Sequence, residues 1–192
     1  MHDVKREAFS RSIIKKHDLS LEQQKIFKEN LVLRHITEVS SFDQFFKQGL
    51  INMAAELENK SPLRIVVIDN ISTIIKQFEG GDLYNRHRRD KYITDFYDDT
   101  IKLMRMGVHI VAINNLAANF KSFDDHNKLY KNVSSLGDLW TYIVTDKFEL
   151  VKQTFEGRSN YRMLRTHFSK NGPKQDTLLE ITDEGINMAV EN

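Results

Sequence analysis

Asp69 closes the apolar run Leu63-Arg64-Ile65-Val66-Val67-Ile68-Asp69. A carboxylate there suits metal chemistry, because the ligands of open α/β sheets gather beyond the carboxyl ends of the strands. The same side chain could instead cap the turn into Asn70-Ile71-Ser72. Cations come in groups. Arg86, Arg88 and Arg89 stand together just before a long helical stretch, where they can neutralise backbone phosphates or simply face solvent. Lys121, Lys128 and Lys131 lie beside Phe120, Phe123 and Tyr130 in a polar loop that Asp124 and Asp125 make less basic. Cations interleaved with aromatics suit single-stranded nucleic acid, which is held by phosphate contacts and base stacking. Lys170 and Lys174 belong to Ser169-Lys170-Asn171-Gly172-Pro173-Lys174, which on its own reads as a hairpin turn.

Several chemistries lack their residues. A phosphate-binding loop needs Gly-x-x-x-x-Gly-Lys-Ser/Thr, so that backbone N–H groups cradle phosphates while the lysine and the hydroxyl manage charge and Mg²⁺. No such run occurs: the first glycine is Gly49, and the adjacent pair Gly80-Gly81 follows the Asp69 strand instead of preceding it. Nucleotide hydrolysis by the chain alone is not expected. The absence of cysteine excludes disulfides, thiolate ligands and a cysteine nucleophile. The histidines show no metal-ligand spacing, so no zinc site is expected, and there is no Gly-x-Ser-x-Gly elbow for a hydrolase triad. The residues predict neither catalytic groups nor a metal centre belonging to the chain by itself.

The elements that must position these residues follow from hydrophobic period. Val4, Ala8, Ile13 and Ile14 form a loose helical stripe, and Ser20-Leu21-Glu22-Gln23 is a capping-box pattern for a second short helix. The run over 31–36 reads as a strand. Phe42, Phe45, Phe46, Met53, Ala54 and Leu57 have helical spacing up to the stop at Ser61-Pro62. The runs over 63–69 and 108–114 read as strands buried on both faces, joined by a helix from Arg86 to Met106 with Ile93, Phe96, Ile101 and Met104 inward and Gly107 as its cap. Strand-like runs over 139–151, 161–169 and 177–181, with only turns between them, must pair antiparallel. Trp140 is expected in the core. The result is an α/β fold with a parallel sheet flanked by helices and followed by antiparallel strands.

With 192 residues, 40% of them hydrophobic, the chain is read as one domain with a helical lead-in over residues 1–30. Lysine and arginine total 28 against 27 acidic residues, so attraction to nucleic acid must come from local patches. No stretch approaches the roughly 20 apolar residues that span a bilayer, and the start is charged, so a soluble intracellular protein without membrane contact is expected.

The order of the phrases is collinear with a known pattern: the Asp69 strand, Gly80-Gly81, the arginine cluster, a helix, Val111-Ala112-Ile113-Asn114-Asn115, a polar loop, Ser135-Leu136-Gly137-Asp138-Leu139-Trp140, Thr145-Asp146-Lys147-Phe148-Glu149-Leu150, and Ile181-Thr182-Asp183-Glu184-Gly185-Ile186. Over residues 30–186 this order resembles the eukaryotic RecA-family recombinases and their paralogues. The resemblance implies a truncated RecA-like core, with Asp69 in the Walker B place and Asn114-Asn115 where the family senses the γ-phosphate. It implies DNA contacts by Arg86, Arg88 and Arg89 in the first DNA-binding loop and by Lys121, Lys128 and Lys131 in the second. Lys170 and Lys174 would face a partner subunit's nucleotide. The family's P-loop strand, the helix after it and the catalytic glutamate have no counterpart, which leaves a sheet edge to be closed or covered. The function implied is that of a non-catalytic paralogue in the nucleus. It would pair with a P-loop-bearing paralogue and assist recombinase filaments on single-stranded DNA in homologous recombination, with ATP and Mg²⁺ entering only through the partner. Two other readings stand beside it: a protein-binding adaptor that never touches DNA, and the trans-acting half of a composite ATPase.

Overall fold

The computed structural model describes residues 18–78, 83–117, 133–134, 136–155, 157–170, 172–173, 175–183 and 185–189. The chain divides into two compact units, Ile36–Ile143 and a second made of Met1–His35 with Val144–Asn192. The expected stripe from Val4 to Ile14 and the Gly80-Gly81 turn lie outside the described residues.

Helix α1 (Leu21–Glu29) begins at the capping box read from the sequence. Ser20 Oγ accepts the Gln23 N–H at 3.3 Å, and Gln23 Oε1 accepts the Ser20 N–H at 2.9 Å. The strand expected over residues 31–36 is not formed. An apolar, β-branched run becomes a strand only where a ladder partner lies beside it, and none of the described strands pairs with it.

In the Ile36–Ile143 unit, α2 (Val39–Gln44), a π-helical segment (Phe45–Leu50) and α3 (Ile51–Leu57) follow without a break. Phe42, Phe46, Leu50 and Ala54 are buried along this stretch. Residues spaced by four drift around a regular α-helix, and the wider i→i+5 winding of the π segment keeps them facing one side. The Phe46 ring lies 5.4 Å from Phe42 and 4.8 Å from Phe96, and Phe96 lies 6.2 Å from Trp140, centroid to centroid.

Strand β1 (Ile65–Asp69) leads through α4 (Ile71–Ile75), a 3-10 turn (Lys76–Phe78) and α5 (Leu83–Arg105) to β2 (His109–Ile113). The strands pair in parallel, from Ile65 opposite His109 to Asp69 opposite Ile113. The expected strand, helix, parallel strand order is present. Helix α5 ends at Gly107, whose φ of 81° lies in the left-handed region open to glycine. The Gly107 N–H donates to the Met104 carbonyl at 3.0 Å and the Val108 N–H to the Leu103 carbonyl at 3.1 Å. These paired bonds form a Schellman cap, and the Leu103 and Val108 side chains around it are both buried.

Two details of this segment depart from the sequence reading. The inward stripe of α5 runs through Tyr92, Ile93, Phe96, Asp99, Thr100 and Leu103, while Met104 is exposed. The strands are not buried on both faces either: Ile65, Val67, Val111 and Ile113 are exposed, Ile65 at 59% and Val67 at 60%. Among the described residues β1 and β2 pair only with each other, so neither outer edge carries a ladder partner.

Beyond β2, β3 (Leu116–Ala117) and β4 (Val133–Ser134) pair antiparallel around the long polar loop, followed by α6 (Gly137–Ile143). Residues 139–143 are therefore helical rather than the start of a strand. Leu136, just before α6, and Trp140 within it are both buried.

In the second unit β5 (Asp146–Phe155), β6 (Arg158–Ser169), β7 (Thr177–Thr182) and β8 (Gly185–Met188) form an antiparallel four-stranded sheet in sequence order. The chain is thus α/β, with a small parallel pair and a separate antiparallel sheet. The register puts Phe148, Leu150, Ile181, Ile186 and Met188 on one face of the larger sheet, and all of them are exposed.

One hydrogen bond ties α2 to α5: the Tyr92 hydroxyl donates to Asp43 Oδ1 at 2.8 Å. Burial of the phenol, reinforced by its bond to Asp43, raises its pKa above the ordinary value of 10.0. A folded-state pKa above the unfolded one means that this group's contribution is complete below pH 10 and is lost as pH rises further. Urea unfolding from pH 9 to 11 is expected to show a fall in midpoint above pH 10 that is smaller in Tyr92→Phe, with Tyr92→Phe also less stable at neutral pH by about 1 kcal/mol.

Candidate functional site

The parallel pair brings Asp69 and Asn114 to neighbouring strand ends, since Asp69 is opposite Ile113 and Asn114 is the next residue. Asp69 and Asn115 are exposed and Asn114 is half-buried. The turn after β1 is capped by Asn70, not by Asp69. Asn70 Oδ1 accepts the Thr73 N–H at 2.9 Å, the Ser72 hydroxyl at 2.9 Å and the Thr73 hydroxyl at 2.7 Å. The N-cap is the residue immediately before the first helical one, and only Asn70 occupies that place. Asp69 therefore has no capping duty and leaves its carboxylate at the strand mouth.

The arginines at the start of α5 are not equivalent. Arg86 is exposed and makes no ion pair with any described residue. Arg88 holds its guanidinium carbon 5.6 Å from the centre of the Phe78 ring and 5.7 Å from that of Tyr84. Arg89 turns its Nε and Nη2 to Asp90 Oδ1 at 3.1 and 3.0 Å. The first turn of α5 contains no acidic residue, and of the three arginines Arg89 is compensated by Asp90 in the next turn.

Sequence reading passed over the aromatic members of this group. Tyr84 is 68% exposed, whereas Phe78 is half-buried with its ring 4.7 Å from buried Tyr92. The signal that could have found Tyr84 is its i, i+4 spacing to Arg88, which puts the pair on one face of a helix.

Of the other predicted cations only Lys170 is among the described residues. Lys170 belongs to the second unit; it is exposed, and its backbone N–H donates to the Thr145 carbonyl at 3.2 Å. The turn it opens is held by Ser169, whose hydroxyl donates to Asp146 and accepts the Gly172 N–H at 3.0 Å. Lys174, Lys121, Lys128 and Lys131 lie outside the described residues. On the same sheet Glu149 receives His167 Nε2 at 2.8 Å and Arg165 Nη1 at 3.8 Å, and Arg165 Nε reaches Asp176 at 3.5 Å. Among the described residues no group of His, Asp and Glu side chains is arranged to hold a metal ion, and no helix is long and apolar enough to cross a membrane.

No protein-family model matches the chain, and no curated protein matches it.

The different settings of the arginines predict different costs of removal. Arg88→Ala should lower unfolding stability by about 0.5–1 kcal/mol by removing the cation from its two rings, and Arg86→Ala should leave stability unchanged within about 0.5 kcal/mol. Chemical denaturation of both variants checks the contrast.

Proposed function

We propose that this chain is a non-catalytic RecA-like recombinase paralogue that works in the nucleus with a P-loop-bearing paralogue and assists recombinase filaments on single-stranded DNA. The observation that carries the reading is the parallel β1–β2 pair, which sets Asp69 and Asn114 side by side at its carboxyl end in a chain without a phosphate-binding loop. In this role Asp69, Asn114 and Asn115 border a nucleotide site that the partner completes. Arg86, Arg88 and Arg89 contact the DNA backbone, joined by Lys121, Lys128 and Lys131, while Lys170 and Lys174 approach the partner's nucleotide. ATP and Mg²⁺ belong to the partner. The edges of the parallel pair, without a ladder partner among the described residues, support a partner that adds strands, since parallel sheets are ordinarily wide and covered.

The exposed apolar residues Ile65, Val67, Val111 and Ile113 favour one further reading, an adaptor that binds protein through this sheet and makes no DNA contact.

Affinity isolation of the tagged chain from its own cells, followed by mass spectrometry, tests the leading reading. Recovery of a P-loop-containing recombinase paralogue is expected; recovery of protein partners unrelated to recombination overturns it in favour of the adaptor. On the isolated complex, replacing Arg86, Arg88 and Arg89 together by alanine should weaken oligonucleotide binding about tenfold or more and flatten the slope of log affinity against log salt by about 0.7 for each phosphate that is no longer neutralised. Titrations at increasing salt read both effects.

A further inference from the structure

We propose that Tyr84 is a base-stacking platform for single-stranded DNA, with Arg88 bracing the ring from behind and Arg86 beside it for a phosphate. The inference rests on the proposed function, in which the start of α5 meets DNA, and identifies the group that would touch the bases.

The observation is a column of planar groups that leads from the core to solvent. At its inner end Tyr92 is buried and bonded to Asp43. The Phe78 ring follows at 4.7 Å from Tyr92, then the Arg88 guanidinium at 5.6 Å from Phe78, then the Tyr84 ring at 5.7 Å from Arg88. Each layer holds the next, and the outermost, Tyr84, is 68% exposed. A tyrosine that served packing alone would bury its ring, because that burial is its main contribution to stability. Here an arginine covers one side of the phenol and the rest of the ring stays open.

An exposed ring backed by a guanidinium suits single-strand binding. The ring offers a π-face that any base can cover, and the guanidinium groups meet the phosphates on either side. Orientation is settled in advance, because Tyr84 and Arg88 lie one turn apart on a long helix. The first turn of α5 carries no acidic residue, and the nearest described carboxylate, Asp90, is already paired with Arg89. Among the described residues Arg86 has no ion-pair partner to give up to a phosphate.

The test uses the full chain and fluorescence anisotropy with a labelled oligothymidine and an abasic oligomer of equal length. Tyr84→Ala is expected to bind oligothymidine about tenfold more weakly, Tyr84→Phe to bind like the parent, and the abasic oligomer to be bound equally by all of them. If Tyr84→Ala keeps full affinity for oligothymidine while Arg86→Ala weakens it, the stacking role is wrong and the DNA contact stands. If Tyr84→Ala loses both oligomers alike, the tyrosine supports the site without touching bases, and the proposal falls. If the parent chain binds neither oligomer, direct DNA contact is overturned, and the stacking role with it.

Discussion

Two strands that run parallel cannot be joined by a turn, so everything between β1 and β2 exists to carry the chain back to where it started. Helix α5 provides the return, and its length and its stop determine the register. The Schellman cap at Gly107 reverses the chain so that the His109 N–H reaches the Arg64 carbonyl at 2.7 Å, and the ladder follows from there. The inner face of α5 also assembles the core. Phe96 meets Phe42, Phe46 and Trp140, so helices distant in sequence share one aromatic cluster. Asp99 is buried at the same face and is satisfied by Lys102 Nζ at 2.7 Å, a contact that raises the lysine's pKa.

The two sheets present an apolar surface to water in different ways. Parallel strands normally hide both faces beneath crossover helices, but here one face of the β1–β2 pair stays open along Ile65, Val67, Val111 and Ile113. The antiparallel sheet of the second unit could tolerate one wet face on polar residues, yet Phe148, Leu150, Ile181, Ile186 and Met188 line it. Exposed apolar side chains gathered on one face are the kind of surface through which proteins meet other molecules. They are the physical basis for reading the chain as part of an assembly.

At the start of α5 the same interactions that stabilise the helix also distribute its cations. A guanidinium held between two rings is oriented, and one paired to a carboxylate is partly neutralised. Only an unpaired one remains free to meet a phosphate at no cost. Arg88 and Arg89 occupy the first two states, and Arg86 has no ion-pair partner among the described residues. A cluster that looks uniform in sequence is graded in space, and the gradation comes from Phe78, Tyr84 and Asp90.

What the sequence by itself determined was local. Gly107 as a left-handed cap, the Ser20 capping box, the stop at Pro62 and the antiparallel pairing of strands separated only by turns all depend on a few adjacent residues, and each could be read from them. The parallel order of β1 and β2 was legible too, because an amphipathic helix of fitting length separates two apolar strands. The tertiary structure decided whatever depends on a neighbour remote in sequence. The run over 31–36 has the composition of a strand and lacks a ladder partner, and the run over 139–143 has it as well but turns helical to bury Trp140. β1 and β2 have core composition on both faces, while burial is granted by whatever packs against them and reaches only one. Asp69 and Arg88 were identified by residue type. That Asn70 takes the cap and leaves the carboxylate exposed, and that an aromatic column sets the guanidinium, follow from packing geometry that no local pattern encodes.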